Sequence, residues 1–149
     1  MQEKVLEQLT AQERLLSQLY SLFSGQFQQY EDFWKGISKD EERHAAVLEK
    51  LHDAAEKGAV LFDEGKLNPS ALNTYITRLE SLLQRAKDGK FNISSALASA
   101  VDYESSIIES KMFTRFEPIN SKAKNALQTL HAETESHVAR IKDLQKSLK

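Results

Sequence analysis

The sequence predicts an all-α fold, and three observations carry that expectation. Glycine and proline are scarce, at five and two in 149 residues. Leucine occurs 19 times and alanine 15 times, against 18 for valine, isoleucine and threonine together, a balance that favours helix over sheet. Apolar residues also recur at steps of three and four over long stretches, the spacing of one helix face. The few breakers divide the chain into five helical segments: about 2–34, 38–64, 69–87, 93–116 and 120–148.

Each boundary has a local reason. Gly36 precedes Ser38, and Ser38-Lys39-Asp40-Glu41 reads as a capping box, in which the third helical residue reaches back to the cap amide. Gly65 precedes Asn68-Pro69, where asparagine suits an N-cap and proline suits the first helical turn. Asp88-Gly89 supplies a helix end, since glycine adopts the left-handed conformation that closes one. Glu117-Pro118 stops the fourth segment, because a residue before proline avoids the helical region. The length suits one domain, 1–149, around one core.

Composition removes several function classes. The chain has no cysteine, which excludes disulfides, thiolate catalysis, Cys-based zinc sites and iron–sulfur clusters. Its formal net charge is −2, with the two signs interleaved, and gives no reason to expect a nucleic-acid partner. No apolar run approaches the roughly 18–20 residues of a membrane span. The opening Met1-Gln2-Glu3-Lys4 runs into a polar helical pattern without a signal peptide, so a cytoplasmic location and no membrane partner are expected. There is no Gly-rich phosphate loop and no serine-nucleophile motif. Asn92-Ile93-Ser94 matches a glycosylation sequon, which has no use without a secretory signal.

The informative feature is what interrupts the apolar stripes. The first segment carries Leu6, Leu9, Glu13, Leu16, Tyr20, Phe23, Phe27 and Tyr30 on one line. The second carries Ile37, Glu41, His44, Leu48, Leu51, Ala55, Gly58 and Phe62. The fourth offers Ile93, Leu97, Ala100, Glu104 and Ile107; the fifth offers Ala123, Leu127, Leu130, Thr134, His137, Ile141, Leu144 and Leu148. Four long helices therefore each turn one or two polar groups toward the core. A buried ionised carboxylate costs several kcal/mol unless paired or coordinated. Three pointing into one core are most simply accommodated if they meet around cations.

The order Glu, Glu-x-x-His, Glu, Glu-x-x-His, met along the chain except at the first position of its last motif, resembles the carboxylate-bridged di-metal bundles of the ferritin-like superfamily, the rubrerythrin-like branch more than ferritin itself. The phrases that carry the likeness are Phe33-Trp34 leading into Lys39-Asp40-Glu41-Glu42-Arg43-His44-Ala45, then Ala96-Leu97 with Ala100 and Glu104, then Leu130 through His137. The resemblance implies an up-down four-helix bundle with a helical crossover, segment 69–87, between the second and third bundle helices. It implies one or two iron or manganese ions held by Glu13, Glu41, His44, Glu104 and His137. It further implies peroxide reduction or ferrous-iron oxidation with peroxide or dioxygen as co-substrate, and a homodimer formed through an outer helix face. Without a cysteine-ligated iron domain, electrons must come from an external donor or from the iron itself.

Two positions depart from the resembled pattern. Thr134 stands where the family places the glutamate of its second Glu-x-x-His. Glu133, four residues before His137 and only about 40° around the helix from it, is a candidate replacement ligand. Lys111 lies at the edge of the Glu104 stripe, where an ammonium could neutralise a site lacking metal or turn outward along the surface. The competing reading is a non-catalytic bundle with a degenerate site, acting as a structural or interaction protein. The bland readings of single residues are a capping role for Glu41, a solvated Glu13 or Glu104, and a surface pair of His137 with Glu133. His52 and His131 read as solvated helix residues, and Tyr20, Phe23, Phe27 and Tyr30 as core.

Overall fold

A computed structural model describes residues 2–58, 62–63, 69–113, 117–118 and 121–148. The protein is all-α, with helices α1 (Gln2–Gln26), α2 (Glu31–Glu56), α3 (Pro69–Lys87), α4 (Ile93–Glu109) and α5 (Ser121–Ser147). Among the described residues the only sheet is a two-residue antiparallel ladder, β1 (Phe62–Asp63) against β2 (Glu117–Pro118). Helix α1 lies along α2 and α3, α4 lies along α5, and α2 meets α5. No described helix is long and apolar enough to cross a membrane.

The apolar stripes form one core. Leu6, Leu9, Leu16 and Tyr20 of α1, Ile37 and Leu48 of α2, Leu97 and Ala100 of α4, and Leu127 and Ile141 of α5 are all buried in it. Toward the α1–α2 turn the core becomes aromatic: the Trp34 ring centre lies 5.5 Å from Tyr20 and 4.9 Å from Phe23, and Phe23 lies 5.2 Å from Phe91. Offset and edge-on ring pairs of this kind add to the stabilisation from burial alone. Leu148, the last residue of the fifth stripe, follows the end of α5, is 38% exposed and lies beyond the core.

The joint between the first two helices is not at Gly36. The chain turns at Phe27, whose φ of −117° and ψ of 74° leave the helical region, and continues through the 3-10 turn Gln28–Tyr30. Phe27 and Tyr30 are half-buried against the end of the core, so the turn is held by packing rather than by a breaker. Helix α2 runs through Gly36, because Trp34 and Ile37 on either side are fully buried and a single internal glycine costs only about 1 kcal/mol. Ser38 is therefore no cap. Its hydroxyl donates to the Ser17 carbonyl at 2.8 Å while the Ser17 hydroxyl donates to the Ser38 carbonyl at 3.0 Å, a reciprocal tie between α1 and α2. The capping-box reading of Glu41 falls with it.

A Cβ built on Gly36 would sit 3.6 Å from Arg140 Nη2, an ordinary contact. Gly36→Ala should thus raise stability by about 0.5–1 kcal/mol, measured as a shift of the urea midpoint. A loss of stability would mean that the helix does not pass through this residue.

Two helices end earlier than the periodicity suggests. Gly58, at φ 72°, takes the left-handed conformation just after α2 and bonds the Ala55 carbonyl at 3.1 Å, so Gly58 and Phe62 leave the stripe. After α4, Lys111 at φ 54° performs the same closure, with Met112 N–H donating to the Ile107 carbonyl at 3.2 Å. That places Lys111 exposed at the helix end, not at the edge of the core. Asn92 caps α4: its side chain accepts from Ser95 N–H at 2.8 Å, and Ser95 Oγ accepts from Asn92 N–H at 3.0 Å. The sequon asparagine is thus a helix cap. Pro69 opens α3; Gly65 and Asn68 lie outside the described residues.

Candidate metal centre

Glu13 of α1, Glu41 and His44 of α2, Glu104 of α4, and Thr134 and His137 of α5 are all at most 2% exposed. The i, i+3 spacing stacks Glu41 above His44 and Thr134 above His137 on the inner faces of their helices. Next to the ligand positions, Gln12 and Tyr103 fix α1 against α4: the Tyr103 hydroxyl donates to Gln12 Oε1 at 3.0 Å.

The groups form two overlapping triads. His44 Nδ1 lies 3.4 Å from Glu13 Oε1 and 3.5 Å from Glu41 Oε2. His137 Nδ1 lies 2.9 Å from Glu41 Oε1 and 3.1 Å from Glu104 Oε1. Glu41 therefore turns one oxygen to each triad. The two imidazoles stack at 5.6 Å between ring centres and 23° between planes. Ligand atoms of Glu13, Glu41 and His44 all lie within 4.8 Å of one another, as do those of Glu41, Glu104 and His137. Among the described residues these are the two fully buried groupings of that kind.

Behind the histidines stand two further carboxylates. His44 Nε2 meets Glu133 Oε2 at 2.7 Å, and His137 Nε2 meets Asp40 Oδ2 at 3.0 Å. The pairing is crossed: the acid before the ligand position on each helix holds the histidine of the other. An ionised carboxylate only accepts hydrogen bonds, so each Nε2 donates. Once the inner proton is lost, each neutral ring would turn its Nδ1 lone pair inward, the arrangement in which an outer carboxylate orients a metal-binding imidazole. Arg43 ties the two outer acids together, with Nη1 donating to Glu133 at 2.7 Å and Nη2 to Asp40 at 3.2 Å.

Of the sequence candidates, Glu13, Glu41, His44, Glu104 and His137 converge, whereas Glu133 stands in the outer layer against His44 rather than beside His137. Thr134 faces inward, but its hydroxyl donates back to the Leu130 carbonyl at 2.8 Å. Asp40 escaped the sequence reading. Its signal was the alignment of Asp40-Glu41-x-x-His44 with Glu133-Thr134-x-x-His137, which puts an acid four residues before each histidine. His52 and His131 are mostly covered, with side chains 15% and 22% exposed.

The electrostatics of the cluster follow from burial. Burial pushes the Glu13 carboxyl up to about 8, with the Glu41 charge adding to the rise and His44 opposing it. Burial and Glu41 likewise raise Glu104 to about 8 against the pull of His137. Burial works to raise Glu41 too, yet the close approach of the charged His137 and His44 rings outweighs it and holds the group at about 2. For the histidines burial acts downward, but Glu13 and Glu41 lift His44 to about 10, and Glu104 and Glu41 lift His137 to about 11. At neutral pH the metal-free cluster thus holds protons on all four groups around Glu41.

Cations fit this cluster. Glu13 Oε2, both oxygens of Glu41, Glu104 Oε2 and His44 Nδ1 are buried and make no well-aligned hydrogen bond, only the histidine–carboxylate contacts of the two triads, which leaves more buried polar capacity unmet than native cores usually tolerate. Every described lysine and arginine is exposed, so among the described residues no ammonium or guanidinium enters the core to satisfy them. Carboxylate oxygen with imidazole nitrogen is the donor set of manganese, iron and zinc rather than of soft ions. Comparison with models of protein families, with curated proteins and with solved structures finds no match for the chain.

The crossed outer pairs give a direct test of metal orientation. Glu133→Gln should weaken the ion beside His44, and Asp40→Asn the ion beside His137, each by about 10–100-fold. Metal titration reads this out; affinities equal to wild type would show that the outer acids do not set the imidazole orientation.

Proposed function

We propose that this chain is a ferritin-like four-helix bundle, with α3 as the crossover, that binds two iron or manganese ions in its core and acts as an oxidoreductase toward peroxide or dioxygen. The observation that carries the reading is the convergence of three buried carboxylates and two Nδ1 atoms from four helices, with poorly paired oxygens and, among the described residues, no buried lysine or arginine. Glu13 and His44 would hold one ion, Glu104 and His137 the other, and Glu41 both. Ferrous iron held there would supply the electrons that reduce peroxide or dioxygen and would itself be oxidised to ferric iron.

The protein's own groups have separate tasks in this reading. Asp40 and Glu133 hold the histidine tautomers. Leu16 and Leu48, buried near the ligand helices' centres, help keep bulk water out. With no cysteine in the chain, electrons come from an external donor or from ferrous iron as substrate.

The test is metal content per chain after growth in iron- or manganese-supplemented medium, followed by peroxide consumption before and after chelation. Two ions per chain, and consumption that chelation abolishes, are expected. Absence of stoichiometric metal, with unchanged stability in Glu104→Ala and His137→Ala, would replace this reading with a structural or interaction bundle.

A further inference from the structure

The two metal-binding motifs are equivalent in position but not in chemistry. Asp40-Glu41-x-x-His44 on α2 faces Glu133-Thr134-x-x-His137 on α5, and the crossed pairs His44–Glu133 and His137–Asp40 make the equivalence a structural one. Glu41 presents an oxygen to each triad from the α2 side. Its counterpart on α5 is Thr134, equally buried but with its hydroxyl proton given to the Leu130 carbonyl. No other described carboxylate reaches that side: Glu133 is turned to His44 and Arg43.

We infer that the edge between the two ions on the α5 side is open to an external bridging ligand, and that it takes a small carboxylate anion of formate size. The inference rests on the two-ion reading above. Its chemistry follows from the donor set. Three carboxylates bring three negative charges to two divalent ions, and each ion receives protein donors from only three residues. Iron, manganese and cobalt ions bound to oxygen and nitrogen favour further donors, hard anions among them. Formate consists of the carboxylate end group that a glutamate would supply and a threonine lacks. A larger anion would have to displace the packed side chains around residues that are at most 2% exposed.

Cobalt(II) is a suitable probe, because its visible absorption reports coordination and it does not oxidise readily. Metal-free protein is titrated with cobalt chloride in formate and, separately, in chloride at the same ionic strength. Bound ions per chain and the absorption spectrum are both recorded. Formate should tighten the second ion about tenfold and change the spectrum, and the second ion should tighten formate by the same factor. Thr134→Val keeps the shape without the hydroxyl and should behave as wild type. Thr134→Glu supplies the missing carboxylate and should bind two ions without responding to formate. In chelator it should melt below wild type, since a fourth acid enters a core without cations.

Two-ion binding in wild type that ignores formate overturns the inference and leaves the metal reading standing. A single ion at every formate concentration overturns it too. Loss of the second ion in Thr134→Val would mean that the hydroxyl oxygen is itself the ligand and the edge is closed. Absence of any bound cobalt overturns both readings together.

Discussion

Glu41→Gln should remove both metal ions, whereas Glu13→Gln and Glu104→Gln should each remove one. Only Glu41 offers an oxygen to each triad, Oε1 toward His137 and Oε2 toward His44. The amide keeps the shape and loses the charge, so packing is preserved while the shared ligand is lost. The same three variants separate in stability when metal is absent. Glu13 and Glu104 are raised to about 8 by burial and are protonated at neutral pH, so an amide in their place changes little. Glu41 is the ionised partner of both buried histidines. Removing one partner of a buried ion pair costs about 3–5 kcal/mol. Glu41→Gln should therefore lose stability on that scale in chelator, while the other two stay near wild type. Metal analysis and urea denaturation of the three variants decide the matter: retention of one ion by Glu41→Gln would show that the triads do not share a ligand.

The inner face of each helix was legible because burial selects residues at the helical period, and polar residues obey that period as strictly as apolar ones. Leu9, Glu13 and Leu16 are equally buried, so a carboxylate on the stripe is a carboxylate in the core. The helix joint was misread for the opposite reason. Gly36 and Ser38 carry local stop-and-start signals, but Trp34 and Ile37 are worth more buried than a break there is worth. The true turn, Phe27-Gln28-Gln29-Tyr30, contains no glycine, proline or Asx residue, and Gly25 in the last turn of α1 is the one local hint beside it. Glu133 shows the limit of a single-helix argument. Its angle placed it correctly near the inner face, but the angle cannot say which helix is opposite, and the neighbour it meets is His44. Asp40 was hidden in the same way, since half-buried residues at the flank of a stripe acquire their partners only when helices pair. Lys111 looked inward-facing only while α4 was assumed to continue past Glu109.

Metal-free protein should be most stable near pH 4.5–6.5 and weaken as pH rises, whereas metal-loaded protein should strengthen over the same range. The sign follows from where each group's proton is held. Glu13 and Glu104 rise from the ordinary 4.5 to about 8 on folding, so their contribution is complete below 4.5 and is lost as pH climbs through 8. His44 and His137 rise from 6.5 to about 10 and 11; theirs is complete below 6.5 and is lost toward those values. Glu41 is the reverse: at about 2 it contributes above 4.5 and loses that contribution as pH falls through 2. Asp40 and Glu133 are held below the usual carboxylate range, with His137 and Arg43 outweighing burial for the first, and Arg43 and His44 for the second. Both act in the same direction as Glu41. The metal-free protein should therefore lose stability steadily between about pH 5 and pH 8. Metal binding displaces the very protons that stabilise the empty site, so it tightens as pH rises, and its contribution grows with the logarithm of ion concentration over dissociation constant. Urea midpoints at low, neutral and mildly alkaline pH, in chelator and in excess manganese(II) under anaerobic conditions, should therefore diverge as pH increases. A metal-free midpoint that climbs through this range would mean that Glu13 and Glu104 are already ionised in the empty core. Parallel curves would mean that the ions bind elsewhere than among these five side chains.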